Sequence, residues 1–213
     1  MLHQQTVTPT CMAIIKQIMA NPSFSIFRLV GGTALSLKYG HRTSDDIGLF
    51  SETHFDNRTL EESLYNEFGK EKITEIRDYL FGLFCNIDGI KSDFMFWEDE
   101  FIKEADQYEG IRIASDADIF AMKLSAAFDR KSKKDFIDIA LFLEKYSLKQ
   151  GLEWYKQKFP YNDELIPIKS LTYFDIADQQ PDPYLFLHYN WQECKQDIIN
   201  AVREYVEGET AGH

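Results

Sequence analysis

The sequence has little cysteine and no long apolar segment. Its three cysteines, Cys11, Cys85 and Cys194, are odd in number and scattered over 213 residues. This pattern argues against a disulfide framework or a zinc site and is typical of a protein of the reducing cytoplasm. No stretch approaches the roughly 20 apolar residues that a membrane span requires. Residues 1–20 lack the pattern of a signal peptide, and Thr8 followed by Pro9 predicts an amphipathic helix there.

Positive charge is also scarce. The 23 lysines and arginines are outnumbered by 35 aspartates and glutamates, which gives a formal net charge of −12. Because phosphate neutralisation drives nucleic-acid binding, such an acidic chain is a poor general binder of nucleic acids. A small basic cleft remains compatible with this balance, since cations gather at Lys123 and in residues 130–134. Cations in such positions are equally typical of solvated helix ends.

Several common catalytic motifs are missing. The sequence contains neither the glycine-rich phosphate loop that ends in Gly-Lys-Ser/Thr nor the Gly-x-Ser-x-Gly turn of many hydrolases. The five histidines are dispersed and show no metal-ligand spacing: His3, His41, His54, His188 and His213. A phosphate-loop nucleotidase, a serine hydrolase of this type and a histidine-based metal centre are therefore poorly supported.

A glycine pair and an acidic pair stand out in the first quarter of the chain. An apolar strand over residues 27–30 runs into Gly31-Gly32, and a short helix is predicted from Thr33 to Tyr39. A second strand over residues 46–50 begins with Asp46. Glycines let the backbone approach phosphates, amides at a helix N-terminus point towards them, and carboxylates hold Mg²⁺. The stretch therefore predicts a nucleotide and metal site, although Asp46 could equally cap a turn.

Position 48 lacks the residue that a two-metal site requires. Side chains alternate along a strand, so residues 46 and 48 lie on the same face. A carboxylate is expected at both positions, but residue 48 is glycine. Gly48 therefore predicts a weakened metal site.

A second candidate carboxylate follows a predicted hairpin. Asp88-Gly89 is a strong two-residue turn signal, and it leads into an apolar strand over residues 90–97 that contains Asp93. An unpaired carboxylate in an apolar strand is costly. Asp93 is therefore expected either near a solvated strand end or next to a cation or metal ion, and we favour the second interpretation.

The pattern of apolar residues changes along the chain. Residues 1–110 predict a small mixed β-sheet with flanking helices, whereas residues 111–213 show the helical period, with loops marked by proline. The expected fold class is α+β, with a sheet core over 1–110 and a C-terminal helical subdomain over 111–213.

These motifs resemble the first and later motifs of the polymerase-β-like nucleotidyltransferases, and more narrowly those of the AbiEii/AbiGii toxin family. The resemblance rests on Gly31-Gly32 with Asp45-Asp46, on Lys91-Ser92-Asp93, and on the segments 118–126, 134–138 and 171–175. The segments occur in the order that the family shows, over residues 27–175. The family usually has Asp-x-Asp where this chain has Asp46-Ile47-Gly48.

The resemblance implies a role for each matching residue. Mg²⁺ is expected at Asp46 and Asp93, and Lys123 is expected to contact the triphosphate, although a lysine in mid-helix can also simply extend its charge to solvent. Asp135 and Asp138 share a helical face and could orient Lys123 or Arg130, or form an exposed acidic face. The expected nucleotide-binding residues are Gly31, Gly32, Thr33, Arg42, Lys91, Lys123, Lys134 and Asp135. Arg42 could also pair with Asp45.

The implied activity is transfer of a nucleotidyl group from an NTP, with Mg²⁺, to a hydroxyl or nucleic-acid end such as RNA. The family context implies a toxin of a toxin–antitoxin or phage-defence system, with an antitoxin protein as a partner and no membrane association. Gly48 supports an alternative, in which a degenerate member binds a nucleotide or a partner without turnover. A purely structural protein that binds a partner is a third interpretation.

Overall fold

The computed structural model describes residues 1–163, 165–186 and 190–211, so His188 and His213 lie outside the described residues. The chain forms two compact units, Met1–Ser115 and Asp116–His213. The expected boundary at residue 110 precedes a strand, Ile111–Ile113, that pairs with the sheet of the first unit. The first unit therefore extends to Ser115.

The first unit is built on a seven-stranded mixed sheet. Its strands are β1 (Arg28–Val30), β2 (Ile47–Ser51), β3 (Ile73–Tyr79), β4 (Gly82–Ile87), β5 (Ile90–Phe96), β6 (Asp106–Tyr108) and β7 (Ile111–Ile113). They lie in the order β3-β4-β5-β2-β1-β7-β6. β2 is parallel to β5 and β1 is parallel to β7, whereas the other neighbours are antiparallel.

Three α-helices accompany this sheet, namely α1 (Pro9–Ala20), α2 (Gly31–Tyr39) and α3 (Asn57–Phe68). The predicted N-cap of α1 is confirmed, since the Thr8 side chain accepts a hydrogen bond from the Cys11 amide. Asp56 caps α3 in the same way through the amide of Thr59, and this bond lowers the pKa of Asp56. These caps satisfy amides that have no partner within the helix.

One face of the sheet is buried and the other is partly open. In β2, Ile47, Leu49 and Ser51 are buried, whereas Gly48 and Phe50 are half-buried. Residues that pair in register point to the same side of a sheet. The face that carries Gly48, Asp93 and Phe84 is called the open face below.

The second unit is helical in the described residues. Its helices are α4 (Asp116–Asp129), α5 (Lys133–Leu143), α6 (Leu148–Lys158), α7 (Leu165–Ser170), α8 (Asp175–Asp178) and α9 (Trp191–Ala211). The rings of Phe120 and Phe142 stack between α4 and α5 with centroids 4.7 Å apart. A fully buried ion pair joins Lys158 Nζ of α6 to Asp118 Oδ1 of α4 at 3.2 Å. The expected α+β fold with a mixed sheet and a helical second part is confirmed.

Among the described residues, no helix has the length and apolar character needed to cross a lipid bilayer.

Candidate functional site

The glycine pair joins β1 directly to α2. Gly31 has φ +74°, a left-handed conformation that glycine adopts without strain, and a Cβ there would meet no neighbour. At Gly32 the constraint is space, since a Cβ would lie 2.3 Å from Arg42 Nη2. The first glycine therefore makes the turn, and the second makes room for an arginine.

The side chain of Arg42 packs against this turn. Arg42 is only 1% exposed, and its Nη1 donates a hydrogen bond to the Thr43 carbonyl at 2.9 Å. A guanidinium in this position brings positive charge close to the backbone of the turn. The Arg42 side chain is enclosed by the protein. The contact with phosphates that the sequence predicts for it is not tested by these observations and stays a prediction.

Thr33 connects the turn to the acidic segment. Its hydroxyl donates to the carbonyl of Asp46 and lies 2.9 Å from Ser44 Oγ. Thr33 is 1% exposed, so these contacts occupy its only polar atom. The Thr33 side chain therefore positions the backbone of Asp46. The nucleotide contact that the sequence predicts for Thr33 stays a prediction.

The sheet register relates the positions of Asp46 and Asp93. Asp46 is exposed and immediately precedes β2, and the strand alternation puts it on the side of Gly48. Gly48 is paired with Asp93 in the parallel register of β2 and β5. Asp46 thus lies just before the strand next to that of Asp93, two residues from the register partner of Asp93, and an extended backbone would give roughly 8 Å between the two Cα atoms.

Asp93 has one engaged and one unengaged carboxylate oxygen. Its Oδ2 lies 3.0 Å from Nζ of Lys91, a lysine that is 58% exposed at its side chain. Its Oδ1 is buried, and no hydrogen-bond donor reaches it among the described residues. A buried carboxylate oxygen without a donor is costly, and a bound cation would remove that cost.

The chemistry of these donors fits a divalent cation that keeps most of its water. The described residues contain no group of three or more histidines, cysteines, aspartates or glutamates arranged around one point. Mg²⁺ commonly binds one or two carboxylates, together with waters and substrate phosphates. Asp46 and Asp93 would therefore suffice as the protein ligands of such an ion, whereas Gly48 has no side chain to contribute.

Lys123 belongs to a buried cluster in the second unit. Its Nζ lies 2.7 Å from Asp135 Oδ1 and 2.6 Å from Asp138 Oδ2. The three side chains are at most 6% exposed, which rules out the exposed acidic face that the sequence left open for the two aspartates. The interpretation of Lys123 as a lysine that reaches solvent also fails, because its ammonium group is buried between carboxylates.

Arg130 completes the charge balance of this cluster. Its Nη2 lies 3.0 Å from Asp135 Oδ1, so two cations face two carboxylates. Asp135 Oδ2 is buried and has no hydrogen-bond partner among the described residues. Lys134, on the same helix, is exposed. The nucleotide contacts expected for Lys123, Lys134 and Asp135 remain predictions, and Asp135 Oδ2 is the one buried atom among them that lacks a donor.

The chain matches one protein family over most of its length. The profile of the family described as nucleotidyl transferase AbiEii toxin, Type IV toxin–antitoxin system, matches residues 13–207. The chain belongs to this AbiEii family. The expected family membership is therefore confirmed, and the nucleotidyltransferase and toxin character of the family applies to this chain as a member.

Proteins similar to this AbiEii protein occur in several bacteria. An uncharacterised protein of Aquifex aeolicus (strain VF5) is 34% identical over 187 residues, which cover 85% of this chain and 88% of the relative. A crystal structure from H. pylori, described as a nucleotidyltransferase, has a TM-score of 0.60 at 18% identity and covers 100% of this chain and 99% of its own. The nucleotidyltransferase toxin MenT4 of Mycobacterium tuberculosis H37Rv has a TM-score of 0.56 at 13% identity, with 89% and 80% coverage. These two structures support the fold.

Some features of the AbiEii protein's site carried no recognisable sequence signal. Phe84 is paired with Asp93 in the register of β4 and β5, and it contacts the rings of Tyr79 and Phe81. The alternation of β4 could have indicated the face of Phe84. The strand pairing that brings it beside Asp93 is a non-local property that no single segment encodes.

Proposed function

We propose that this AbiEii-family protein transfers a nucleotidyl group from an NTP to a hydroxyl group, with Mg²⁺ held by Asp46 and Asp93. The observation that carries the proposal is the buried Asp93 Oδ1, which has no donor in the described part of the chain and lies on the strand next to the one that Asp46 precedes. Nucleotidyltransferases generally use a divalent metal with their NTP. Such an ion neutralises the developing charge of pyrophosphate and favours loss of the acceptor proton.

The turn between β1 and α2 suits the triphosphate. The N-terminus of α2 begins at Gly31, where amide groups and the helix dipole favour an anion. The absence of a side chain at Gly31 lets phosphate oxygens approach the backbone, and the buried Arg42 adds positive charge behind it. In this proposal the phosphate-binding turn consists of Gly31, Gly32 and Thr33, and Arg42 packs behind it.

Lys91 can serve the same substrate. It now pairs with Asp93 at 3.0 Å, but its side chain is mostly exposed, so this pair is weak. A cation bound by Asp93 would compete with Lys91, and a lysine is a mobile charge that can turn to a phosphate oxygen.

The proposed transfer forms one bond and breaks one. The acceptor oxygen bonds to the α-phosphorus while the bond from that phosphorus to the bridging oxygen breaks, which releases pyrophosphate. The acceptor hydroxyl loses its proton to solvent or to a neighbouring carboxylate. The acceptor in this proposal is RNA or another hydroxyl compound, and the protein acts as a toxin whose partner is an antitoxin. Its three cysteines are free and buried, which supports a reducing compartment such as the cytoplasm.

A second candidate function is binding of a nucleotide or a partner without turnover. Gly48 favours it, because the position opposite Asp93 supplies no ligand. Loss of a metal carboxylate should cost several kcal/mol of transition-state stabilisation, and each 1.36 kcal/mol is about tenfold in rate. The two candidates share the same nucleotide site and differ in whether pyrophosphate is released.

Thermal unfolding of the purified chain tests the shared site. Mg²⁺ together with the preferred NTP should raise the midpoint by roughly 5–10 °C at a hundredfold excess over Kd. Asp93→Asn should abolish this rise, whereas Asp99→Asn, a change at a half-buried aspartate that follows β5, should leave it intact. The same unfolding midpoint without NTP and with each of the four NTPs would contradict nucleotide binding. Pyrophosphate release, measured on the same samples, separates the enzyme from the non-catalytic binder.

A further inference from the structure

An exposed group of aromatic rings lies at the tip of the β3–β4 hairpin. The rings of Tyr79 and Phe81 are parallel, with centroids 5.5 Å apart and an interplanar angle of 9°. Both rings stand edge-on to Phe84, at 5.2 Å and 5.8 Å. Tyr79 and Phe81 remain 43% and 46% exposed. These three residues are called the aromatic platform below.

A β-bulge orients this hairpin. The pairing of β3 with β4 shifts between Thr74 and Arg77, and Glu75 in the bulge has φ +53°. The extra residue puts Arg77 opposite Phe84, so Arg77 and Tyr79 lie on the open face. Without the bulge, the register of Thr74 and Asn86 would continue and put Ile76 opposite Phe84 and Asp78 opposite Gly82, in place of Arg77 and Tyr79.

The hairpin is also fixed from the opposite side. Asn57, the first residue of α3, donates to the Asp78 carboxylate and to the Tyr79 carbonyl at 2.7 Å. Gly82 allows β4 to approach β5, since a Cβ there would lie 2.1 Å from the Phe94 carbonyl oxygen. The aromatic platform is thus held on a braced hairpin, and its exposed rings are preorganised.

The platform is continuous with the proposed metal site. Phe84 is the register partner of Asp93, so the rings begin one strand away from that carboxylate. Two cations lie on the open face next to the rings and the proposed metal site. Arg77 is beside Phe84, and Lys91 is beside Asp93. In a chain with a net charge of −12, a local pair of cations next to exposed aromatic rings is a distinct surface.

We propose that the aromatic platform binds the unpaired bases at the end of a single-stranded nucleic acid and leads that end to Asp93. This inference rests on the proposed function, because it assigns a location to the acceptor of the transfer. Aromatic rings stack on any base, and cations contact the phosphates between bases. A duplex end keeps its bases stacked within the helix, so the platform selects single strands.

Fluorescence anisotropy with labelled oligonucleotides tests the proposal without any catalysis. The probes are one mixed twelve-nucleotide sequence as single-stranded RNA, the same sequence as single-stranded DNA, and the RNA duplex, all at low salt without NTP. We expect both single strands to bind more tightly than the duplex, and the two single-stranded affinities to differ only if the ribose 2′-hydroxyl is also contacted. Removal of both exposed rings, Tyr79→Ala with Phe81→Ala, should weaken single-strand binding roughly tenfold to a hundredfold.

Two further variants make this result specific. Phe81→Trp keeps a stacking surface and should retain the affinity. Tyr161→Ala removes a tyrosine that is 97% exposed in the second unit, and it should change nothing. The proposal would be overturned if the double variant bound single strands as tightly as the native protein, or if the native protein bound no single strand. Either result would leave a protein partner as the occupant of the platform. Failure of the proposed function would instead leave oligonucleotide binding intact while NTP binding and pyrophosphate release are absent.

Discussion

Gly48 and Asp93 are directly paired in the parallel register of β2 and β5. On its other side Gly48 is paired with Val30, the residue that precedes the glycine turn. A Cβ at position 48 would lie 3.2 Å from Val30 Cγ2 and 3.6 Å from the Val30 carbonyl oxygen. A Cβ at this position therefore requires only a small movement of one valine methyl group, and a carboxylate there would lie on the same open face as Asp93.

Gly48→Asp should increase nucleotidyl transfer by roughly 10²–10⁴-fold, because a third carboxylate adds several kcal/mol of metal-dependent stabilisation. The measurement is transfer of label from an α-labelled NTP to total RNA, with the native chain in parallel. Gly48→Asn is the matched control, since it has the same shape without the charge. Robust transfer by the native chain, or no transfer by a well-folded Gly48→Asp protein, would contradict this account of position 48.

The two glycines of the turn should differ in their response to alanine. In Gly32→Ala the new Cβ would meet the guanidinium of Arg42, which is enclosed, and we expect a loss of about 1–3 kcal/mol from overpacking. In Gly31→Ala only the left-handed φ is unfavourable, at about 1–2 kcal/mol. Urea unfolding of both variants checks the order. An additional Arg42→Ala change should relieve Gly32→Ala and not Gly31→Ala, and the absence of this coupling would count against the contact.

Two buried thiols should be unreactive in the folded protein. Burial, with the nearby charges of Asp45 and Asp46, raises the pKa of Cys11 to about 12. Burial and the charge of Asp93 raise the pKa of Cys85 to about 12 as well. Only the thiolate is nucleophilic, so at pH 8 neither group should react with Ellman's reagent until the chain unfolds. Rapid modification of either cysteine at pH 8 in the native state would show that the site is open.

Local signals explain which parts of the fold the sequence could predict. Thr8 and Asp56 predict the start of their helices, and Asp88-Gly89 predicts a hairpin. These features could be predicted because each cap or turn depends on a few adjacent residues. The sequence does not predict β6 and β7, since each has only three residues and β7 joins the sheet by pairing with β1, far earlier in the chain. The same reason applies to the bulge at Glu75, which decides that Arg77 faces the site.

The candidate site divides in the same way. The acidic and glycine motifs could be recognised from residue order, and the register of β2 and β5 then brought Asp93 beside position 48. The partners of buried charges could not be foreseen. Lys158 resembles any helix-end lysine in the sequence, yet it is fully buried against Asp118, 40 residues away. Charge partners of this kind depend on how helices pack, which the sequence pattern of one helix does not determine.

The Lys123 cluster leads to a prediction about stability that is independent of catalysis. Lys123 is held between Asp135 and Asp138 at 2.7 Å and 2.6 Å, and all three side chains are buried. Lys123→Met keeps most of the volume but removes the ammonium group that lies between two buried carboxylates. Removal of one partner from a buried ion pair costs about 3–5 kcal/mol, because the remaining charge loses its compensation.

We therefore expect Lys123→Met to lower the free energy of unfolding by about this amount, as measured by urea titration. Lys134→Met is the matched control, since Lys134 is exposed on the neighbouring helix and should change stability by less than about 0.5 kcal/mol. Asp138→Asn in the Lys123→Met background should recover part of the loss, because it removes one uncompensated charge. A Lys123→Met protein as stable as the control, with reduced NTP affinity by calorimetry, would instead assign Lys123 to the triphosphate and the two aspartates to its orientation.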